Sequence, residues 1–537
     1  MKKRPGHISI VLLLLLTFII SAGKLNTAAA QMRKITNDVF WNTKDGQPIY
    51  SQGGGIFKFT DPATQVQKYY WYGVHYNEAA TYRNDPSVTQ STNSFESVTC
   101  YSSVDLVTWT FEGDVLTKEE LLKHGDKTWV GRLGVAYLPE LNKYALFVQH
   151  GSQVLITVAN TPTGQFTWHQ QISMKDMIGT TNTGDQTVFT DEDNKKSYLI
   201  YSYGRGRNKI YVSEIGVKNG MVNLLDCKEV FHGESREGNC LFKYNNRFYM
   251  FASNIYGWDA SLAYYLVADD IRGPYLPINN MLVIDGCADD YAHITQTGFF
   301  VSVKGSKKET IVYCGDRWAD FAGNGLGYNQ WFPLSFDGAK PYFNSLGSWD
   351  LDAGTGEWKV AADNNYVKNG SFEADRKSIP STIKPVQQQL TGWTTTVIAG
   401  SAINLDSTVS PVLNHNNSES ERKIVIGEKS LNISDKVNFK RQVYQSIIPS
   451  PFVKLKDGFY TLTAWIKNSN GFTKLEMYAV SNGRSFGYTI KEENPTWKII
   501  RLDKILVKNG KVEIGFHAEG NAGAFCYVDD ISLTKVP

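Results

Sequence analysis

The sequence predicts an all-β protein: a five-bladed β-propeller over residues 31–360, followed by a β-sandwich domain over residues 364–537. Two observations carry the propeller. Short β-rich runs recur as Tyr69-Tyr-Trp-Tyr72, Tyr144-Ala-Leu-Phe-Val148, Ser197-Tyr-Leu-Ile-Tyr201, Arg247-Phe-Tyr-Met-Phe251 and Thr310-Ile-Val-Tyr313. Each follows a polar turn: Gln65–Lys68, Glu140–Lys143, Asp193–Lys196, Asn245-Asn246 and Ser306–Lys308. About 320 residues shared among five such units leaves about 64 for each, a size that suits blades needing neighbours to bury their faces. Helical periodicity is confined to a short stretch near Lys118 to Lys123. Past Asp352-Ala-Gly-Thr-Gly356 the texture changes, and a second β-rich region opens at Asn369.

The N-terminus has the layout of a secretory signal peptide over residues 1–30. Lys2, Lys3 and Arg4 precede an apolar run from Ile10 to Ile20, and Ala28-Ala29-Ala30 precede Gln31. A run of this length is short for a bilayer, which takes ~20 residues. The sequence therefore predicts an exported chain cleaved near Ala30, with no membrane insertion of the mature protein. Net charge is +2 with both signs interspersed, which gives no footprint for nucleic acid. The 13 Trp, 29 Tyr and 27 Phe fit either sugar stacking or the ordinary aromatic preference of strands. Six cysteines are scattered without the spacing of a zinc site. Cys227 and Cys240 are candidates to pair; the rest read as buried thiols.

The second region opens with Asn369-Gly-Ser-Phe-Glu373 and closes with Tyr527-Val-Asp-Asp-Ile-Ser-Leu533. These ends resemble those of jelly-roll carbohydrate-binding modules, in which terminal strands lie together and hold a structural calcium. The resemblance makes Glu373 and Asp530 candidate oxygen ligands, against the alternative of a metal-free sandwich. Trp393 and Trp465 are candidate sugar platforms, but Leu462-Thr-Ala-Trp-Ile466 alternates like a core strand, which favours burial of Trp465.

The propeller carries a longer ordered set of phrases: Asp45-Gly-Gln-Pro-Ile49, Gly53-Gly-Gly-Ile56, Thr99-Cys-Tyr-Ser-Ser-Val-Asp-Leu-Val-Thr-Trp109 and Asp185-Gln-Thr-Val-Phe-Thr-Asp-Glu-Asp193. Gly233-Glu-Ser-Arg-Glu237, Tyr256-Gly-Trp-Asp259, Ile294-Thr-Gln-Thr297, Gly315-Asp-Arg-Trp318 and Trp331-Phe-Pro333 follow. Together they resemble the exo-β-1,3-galactanase subfamily of glycoside hydrolase family 43. The resemblance implies an oligo- or polysaccharide substrate, no catalytic cofactor, and a site where the inner strands converge. It implies an inverting mechanism, with one carboxylic acid on the leaving oxygen and a base ~6.5–9.5 Å away.

On that resemblance Glu237 is the general acid and Asp185 the carboxylate that tunes it. The bare alternative for Asp185 is punctuation at a strand start, while Asp191, Glu192 and Asp193 read as a solvated turn. Gln296 stands where the subfamily places a Gln near the attacking water. An amide is a poor proton acceptor, so a purely substrate-binding role is the alternative. Gln52 occupies the first-blade region where ordinary members carry an Asp. His150, Trp258, Asp316, Arg317 and Trp318 complete the expected substrate-binding set, with core packing the alternative for either Trp. One departure matters: the subfamily's E-R-P-K-V reads here Gly131-Arg-Leu-Gly-Val135, so a sugar-site Glu is replaced by Gly131. Two functions follow, an exo-acting galactosidase or a sugar-binding propeller that has lost turnover.

Overall fold

The computed structural model describes residues 31–537 except 124, 126–128, 152, 320–323, 376–389, 403–412, 415–426, 428 and 449. The predicted signal peptide lies outside the described residues. The described chain is all-β, with helices no longer than a turn or two. None of them is long and apolar enough to cross a membrane.

After β1 (Arg33–Thr36) come five antiparallel sheets, each built from strands consecutive in sequence. The first holds β2 (Gln52–Thr60), β3 (Gln67–Tyr76), β4 (Phe95–Ser103) and β5 (Thr110–Thr117). The second holds β6 (Leu133–Leu138), β7 (Lys143–Gln149), β8 (Val154–Ala159) and β9 (Thr167–Ile172). The third runs β10 (Thr183–Thr190), β11 (Ser197–Tyr203) and β12 (Lys209–Lys218), with β13 (Met221–Leu224) and β14 (Lys228–His232) both paired to β12. The fourth holds β15 (Glu237–Tyr244), β16 (Arg247–Ser253), β17 (Ala263–Ala268) and β18 (Leu282–Val283). The fifth holds β19 (Gln296–Lys304), β20 (Glu309–Ala319), β21 (Asn324–Asp337) and β22 (Lys340–Phe343).

The five phrases read from the sequence are the second strands of these sheets, and the five turns are the hairpins that lead into them. Left-handed residues at Gln65, Asn142, Lys195, Asn245 and Asn246 make four of those reversals. The Asn-Asn pair is the two-residue form that matches strand twist. First strands neighbour one another in the order β2, β6, β10, β15, β19, and β19 returns to β2. The predicted helical stretch is Lys118–Leu122, capped by Thr117 Oγ1 accepting from the Glu120 N–H at 3.3 Å.

Two strands follow the fifth sheet, β23 (Ser348–Asp352) and β24 (Glu357–Val360), and β1 pairs with β23. Residues Arg33–Thr36 are thereby bound to the end of the first region. Beneath this seam lies a tryptophan cluster. Trp71 and Trp331 have ring centres 5.0 Å apart, Trp71 and Trp109 5.3 Å, and Trp41 and Trp331 4.7 Å. Much of the aromatic richness therefore serves packing. Asn37 stitches the seam: its amide donates to the Trp331 and Leu346 carbonyls at 2.9 and 2.8 Å and accepts from the Trp331 N–H at 2.9 Å.

The remaining strands are β25 (Thr394–Ala399), β26 (Leu413–Asn414), β27 (Ser430–Ser434), β28 (Phe439–Ile447) and β29 (Gly458–Asn468). They continue as β30 (Phe472–Ser481), β31 (Arg484–Thr489), β32 (Asn494–Val507), β33 (Val512–Gly520) and β34 (Phe525–Lys535). They form two five-stranded sheets, β25-β28-β33-β30-β31 and β26-β27-β34-β29-β32. Both line one core that includes Leu462, Ile466, Met477, Phe516 and Val528. The passage between the regions is tied down, with Ala361 and Asn364 buried and Asn364 accepting from the Ser348 N–H. Lys368 Nζ reaches Asp289 Oδ2 at 2.6 Å, and Tyr342 stacks near Phe452.

Four expectations are corrected. Trp465 lies on the face opposite buried Leu462, Ala464 and Ile466 and is only partly buried, because alternation gives the period but not which phase faces the core. Trp393 is the buried one, its indole N–H donating to the Asn369 carbonyl. All six cysteines are free thiols; Cys240 is in the core, whereas Cys227 meets the Tyr201 hydroxyl at 3.2 Å. Asp191 is buried rather than solvated, since Lys243 of the next sheet reaches it at 3.2 Å.

Replacing Asn37 by Ala removes three buried hydrogen bonds, those to the Leu346 carbonyl and to the Trp331 N–H and carbonyl, while the Trp331 carbonyl keeps the Trp349 indole N–H at 2.8 Å. Urea unfolding should then show a loss of about 2–4 kcal/mol.

Candidate active site

The first strands begin with irregular pairing. Register shifts fall between Gln52 and Gly55, Thr183 and Gln186, Glu237 and Cys240, and Thr297 and Phe299. Bulges re-aim side chains and end the regular ladder, and they recur beside active sites. At Gly238 the backbone takes a φ of +61°, and a Cβ there would meet the Thr297 carbonyl at 2.4 Å. Only glycine fits so close an approach in the left-handed region. These distortions gather Gln52, Asp185, Glu237 and Gln296 at one end of the five first strands.

A residue outside the expected set sits among them. Arg132, immediately before β6, is 5% exposed. Its Nε donates to Asp185 Oδ2 at 3.0 Å, its Nη1 to Asp316 Oδ2 at 2.6 Å and its Nη2 to Gln296 Oε1 at 2.9 Å. Asp185 also accepts from the Gly238 N–H at 2.8 Å, and Asp316 from Asn329 at 3.1 Å and the Gly53 N–H at 3.4 Å. Gln296 Nε2 donates to Glu237 Oε1 at 2.8 Å, while its Oε1 also accepts from the Trp318 indole N–H at 2.8 Å. Arg207 closes the other side, 3.6 Å from Asp185 and 3.7 Å from Glu237.

Most of the expected set converges here. Glu237, Asp185, Gln296 and Asp316 form the cluster, and Gln52 flanks it, its amide donating to the Gly325 carbonyl at 3.3 Å. Trp318 lies over Arg132, and Trp258 stands edge-on to it at 4.9 Å while remaining 37% exposed. Two residues do not join. Arg317, between Asp316 and Trp318, points to the other face, where it donates to the Ile294 carbonyl at 3.4 Å. His150 is buried, its Nδ1 3.0 Å from the Trp129 carbonyl. Its neighbour Gln149 is the relevant one: Oε1 accepts from the Arg132 N–H and lies 2.6 Å from where a Gly131 Cβ would be. An amide therefore takes up room beside the missing Glu. Arg132 and Arg207 escaped the sequence reading. For Arg132 a signal existed: a cation inside Val130-Gly-Arg-Leu-Gly-Val135 must be paired if that run is buried.

Behind Gln296 the backbone does something costly. Tyr291, Ala292, His293 and Ile294 have φ of 46°, 55°, 54° and 62°, a left-handed turn made without glycine. Such a conformation costs about 1–2 kcal/mol per residue. It survives only where its surroundings hold it.

Residues 74–327 match the family model described as glycosyl hydrolases family 43. This part of the chain belongs to that family. The exo-β-1,3-galactanase of Phanerochaete chrysosporium, solved with galactose and with β-1,3-galactotriose, is 18% identical, covering 93% of this chain and 100% of its own, with a TM-score of 0.53. An exo-β-1,3-galactanase from Clostridium thermocellum gives 18% identity, 94% and 100% coverage and a TM-score of 0.52. At that identity the likeness is one of fold. A 1,6-alpha-glucosyltransferase of Sporosarcina globispora is 27% identical over 99 residues, 18% of this chain and 7% of that protein's length.

The family 43 domain pushes the pKa values of Glu237 and Asp185 in opposite directions. Burial raises the Glu237 pKa well above the usual glutamate range, and the nearby Asp185 charge raises it further. For Asp185 burial pushes up as well, but Arg132, Arg207 and the Gly238 N–H overcome it and hold the pKa below its ordinary value. Two arginines thus face Asp185 and Asp316, and with Glu237 protonated the group sums to zero. The proton on Glu237 completes the charge balance.

The calcium expectation meets a different geometry. Glu373 Oε1 accepts from the Lys429 N–H at 2.6 Å, and the Lys429 ammonium lies 3.7 Å from Oε2 with both side chains buried. A cation already faces that carboxylate, and no three His, Cys, Asp or Glu side chains gather to hold a metal among the described residues.

Replacing Arg132 by Met would take the paired cation from buried Asp316 and leave Asp185 with Arg207 alone, so denaturation should register a loss of about 3–5 kcal/mol. Glu237→Gln tests the raised pKa. The folded state binds that proton more tightly than the unfolded one, so the parent loses stability as pH rises from the ordinary glutamate range to the folded value. The melting advantage of Glu237→Gln should grow across that interval and level off above it.

Proposed function

We propose that the chain is an exported, inverting glycosidase acting from chain ends on β-1,3-linked galactosyl glycans. In this reading the five sheets are the blades of a β-propeller over 31–360. The two C-terminal sheets are a β-sandwich over 364–537 that helps hold the polymer, and residues 1–30 are a signal peptide removed near Ala30. The observation that carries the proposal is Glu237, a buried acid whose pKa is raised beside Asp185, whose pKa is held down, in a family 43 domain. The names of the similarly folded galactanases support galactan as the substrate class.

Glu237 gives its proton to the departing glycosidic oxygen. The Asp185 charge keeps that proton on Glu237 until the oxygen gains charge, and the Gln296 N–H then stabilises the carboxylate left behind. Water attacks from the opposite face of the sugar. An amide is a poor proton acceptor, so Gln296, whose carbonyl is held by Arg132 and Trp318, orients groups and does not take the water's proton. Asp316 is the carboxylate left for that step, and inversion requires it to stand ~6.5–9.5 Å from Glu237. Trp258 offers a sugar platform at the rim.

A second reading is a sugar-binding propeller without turnover. It is favoured by Gly131, beside which the Gln149 amide lies where the subfamily's Glu would project.

Release of galactose from β-1,3-galactan separates the two readings; binding without release supports the second. Glu237→Gln should lower hydrolysis of the natural glycan ~10²–10⁴-fold. An aryl galactoside, whose leaving group barely needs a proton, should suffer much less. Asp316→Asn should slow both substrates alike, because water must be activated whichever group leaves. Parent-like galactan hydrolysis by Glu237→Gln would remove it as the acid.

A further inference from the structure

The left-handed turn at Tyr291–Ile294 leads directly into Thr295 and Gln296, so whatever holds the turn also sets the Gln296 amide. Its carbonyls are taken up by groups on neighbouring strands. The Gln330 amide donates to the His293 carbonyl at 3.0 Å, Thr295 Oγ1 to the Ala292 carbonyl at 2.8 Å, and Arg317 to the Ile294 carbonyl. The side chain of His293 ties the turn to three other parts of the molecule. Nε2 is 2.8 Å from Asp38 Oδ2, on the segment after β1 that closes the first region. Nδ1 is 2.8 Å from Ser345 Oγ, just past β22. Ser345 in turn donates to Asp290 Oδ2 at 2.5 Å, and Asp290 Oδ1 accepts from the His293 N–H at 3.0 Å. The ring packs 5.0 Å from Phe332.

We propose that His293 is a positioning residue: bridging Asp38, Ser345 and Asp290, it clamps the left-handed turn and thereby fixes the Gln296 amide against Glu237. The clamp works without touching a substrate. Burial by itself would lower the imidazole pKa, but Asp38 and Asp290 overturn that and raise it to about 10, so the bridge carries a charge throughout the working range of most proteins. Arg317 acts on Asp38 within the first region, and Lys368 acts on Asp290 from across the junction between the two regions. Glu237 itself faces Asp185, Arg207, Arg132 and Gln296. Of these, Gln296 is the one that the turn delivers, and its N–H favours the ionised carboxylate. A loosened clamp should withdraw that donor and raise the Glu237 pKa, while Asp185 and both arginines stay in place.

The proposal rests on Glu237 being the proton-holding group, but its test needs no turnover. The pH interval over which Glu237→Gln gains melting temperature over its parent reports the Glu237 pKa by linkage. That interval is measured in the native background, in His293→Gln and in Gln296→Leu. The expected result is that the upper end of the interval, set by the folded-state pKa, moves up by about one pH unit in each, the size set by one hydrogen bond to a charged group. The double variant His293→Gln/Gln296→Leu should show no further displacement. Where His293→Gln does not fold, Ser345→Ala removes one arm of the clamp and should displace the interval in the same direction. An interval that stays in place in a folded but less stable His293→Gln or Ser345→Ala protein overturns the proposal. Loss of the glycosidase reading would appear in the galactan assay, and leaves this measurement unchanged.

Discussion

A single buried guanidinium holds the centre of the family 43 domain together. Arg132 comes from the second sheet, and its partners come from the third and fifth: Asp185, Asp316, Gln296 and the Thr297 carbonyl. Asp185 extends the network to the fourth sheet through Gly238, and Asp316 extends it to the first through Gly53. Five sheets that are far apart in sequence are bound through one cation. A charge in so dry a place is tolerated only because each of its faces meets an acceptor. The planar fork supplies donors in fixed directions, which a lysine in the same place would not.

The same network sets the proton economy. Arg132 and Arg207 face the carboxylates of the cluster, but at Glu237 burial and the Asp185 charge outweigh the pull of both arginines. Its proton is what the enclosure allows most cheaply. Chemistry that needs a neutral acid next to an ionised one follows from that arithmetic, without any special property of Glu237 as a residue. An additional Glu at residue 131 would bring another negative charge and would meet Gln149 and Trp129. Gly131 and the Arg132 network therefore form one consistent arrangement.

Holding this arrangement has a structural cost, which is placed outside the cluster. The first strands are bulged where they reach the centre, and a left-handed turn without glycine precedes Gln296. Hydrogen bonds from the closing segment and from β21 keep that turn in place. The seam made by β1, β23 and Asn37 matters for the site because Asp38 lies next to it, and Asp38 grips His293. Strain at the functional end is sustained by packing at the seam.

Residues on the page of the sequence were enough to define five β-units, their hairpin turns and the acidic phrase at Glu237. Those features are local: alternation marks a strand, and polar residues that tolerate left-handed backbone mark a turn. Other features depended on which face of a strand meets which neighbour. The alternation around Trp465 was legible but its phase was not, and Arg317 was grouped with Asp316 and Trp318 although it points the other way. Asp191 looked solvated because its partner Lys243 is remote in sequence. Arg132 was visible only as a neighbour of Gly131. Its importance comes from four partners between 53 and 184 residues away. Residue types and local periods determined the elements, and the resemblance of the Gly233–Glu237 phrase singled out Glu237; only the meeting of the strands decided which groups face Glu237 and how they move its pKa, because long-range electrostatics exist only after the strands meet.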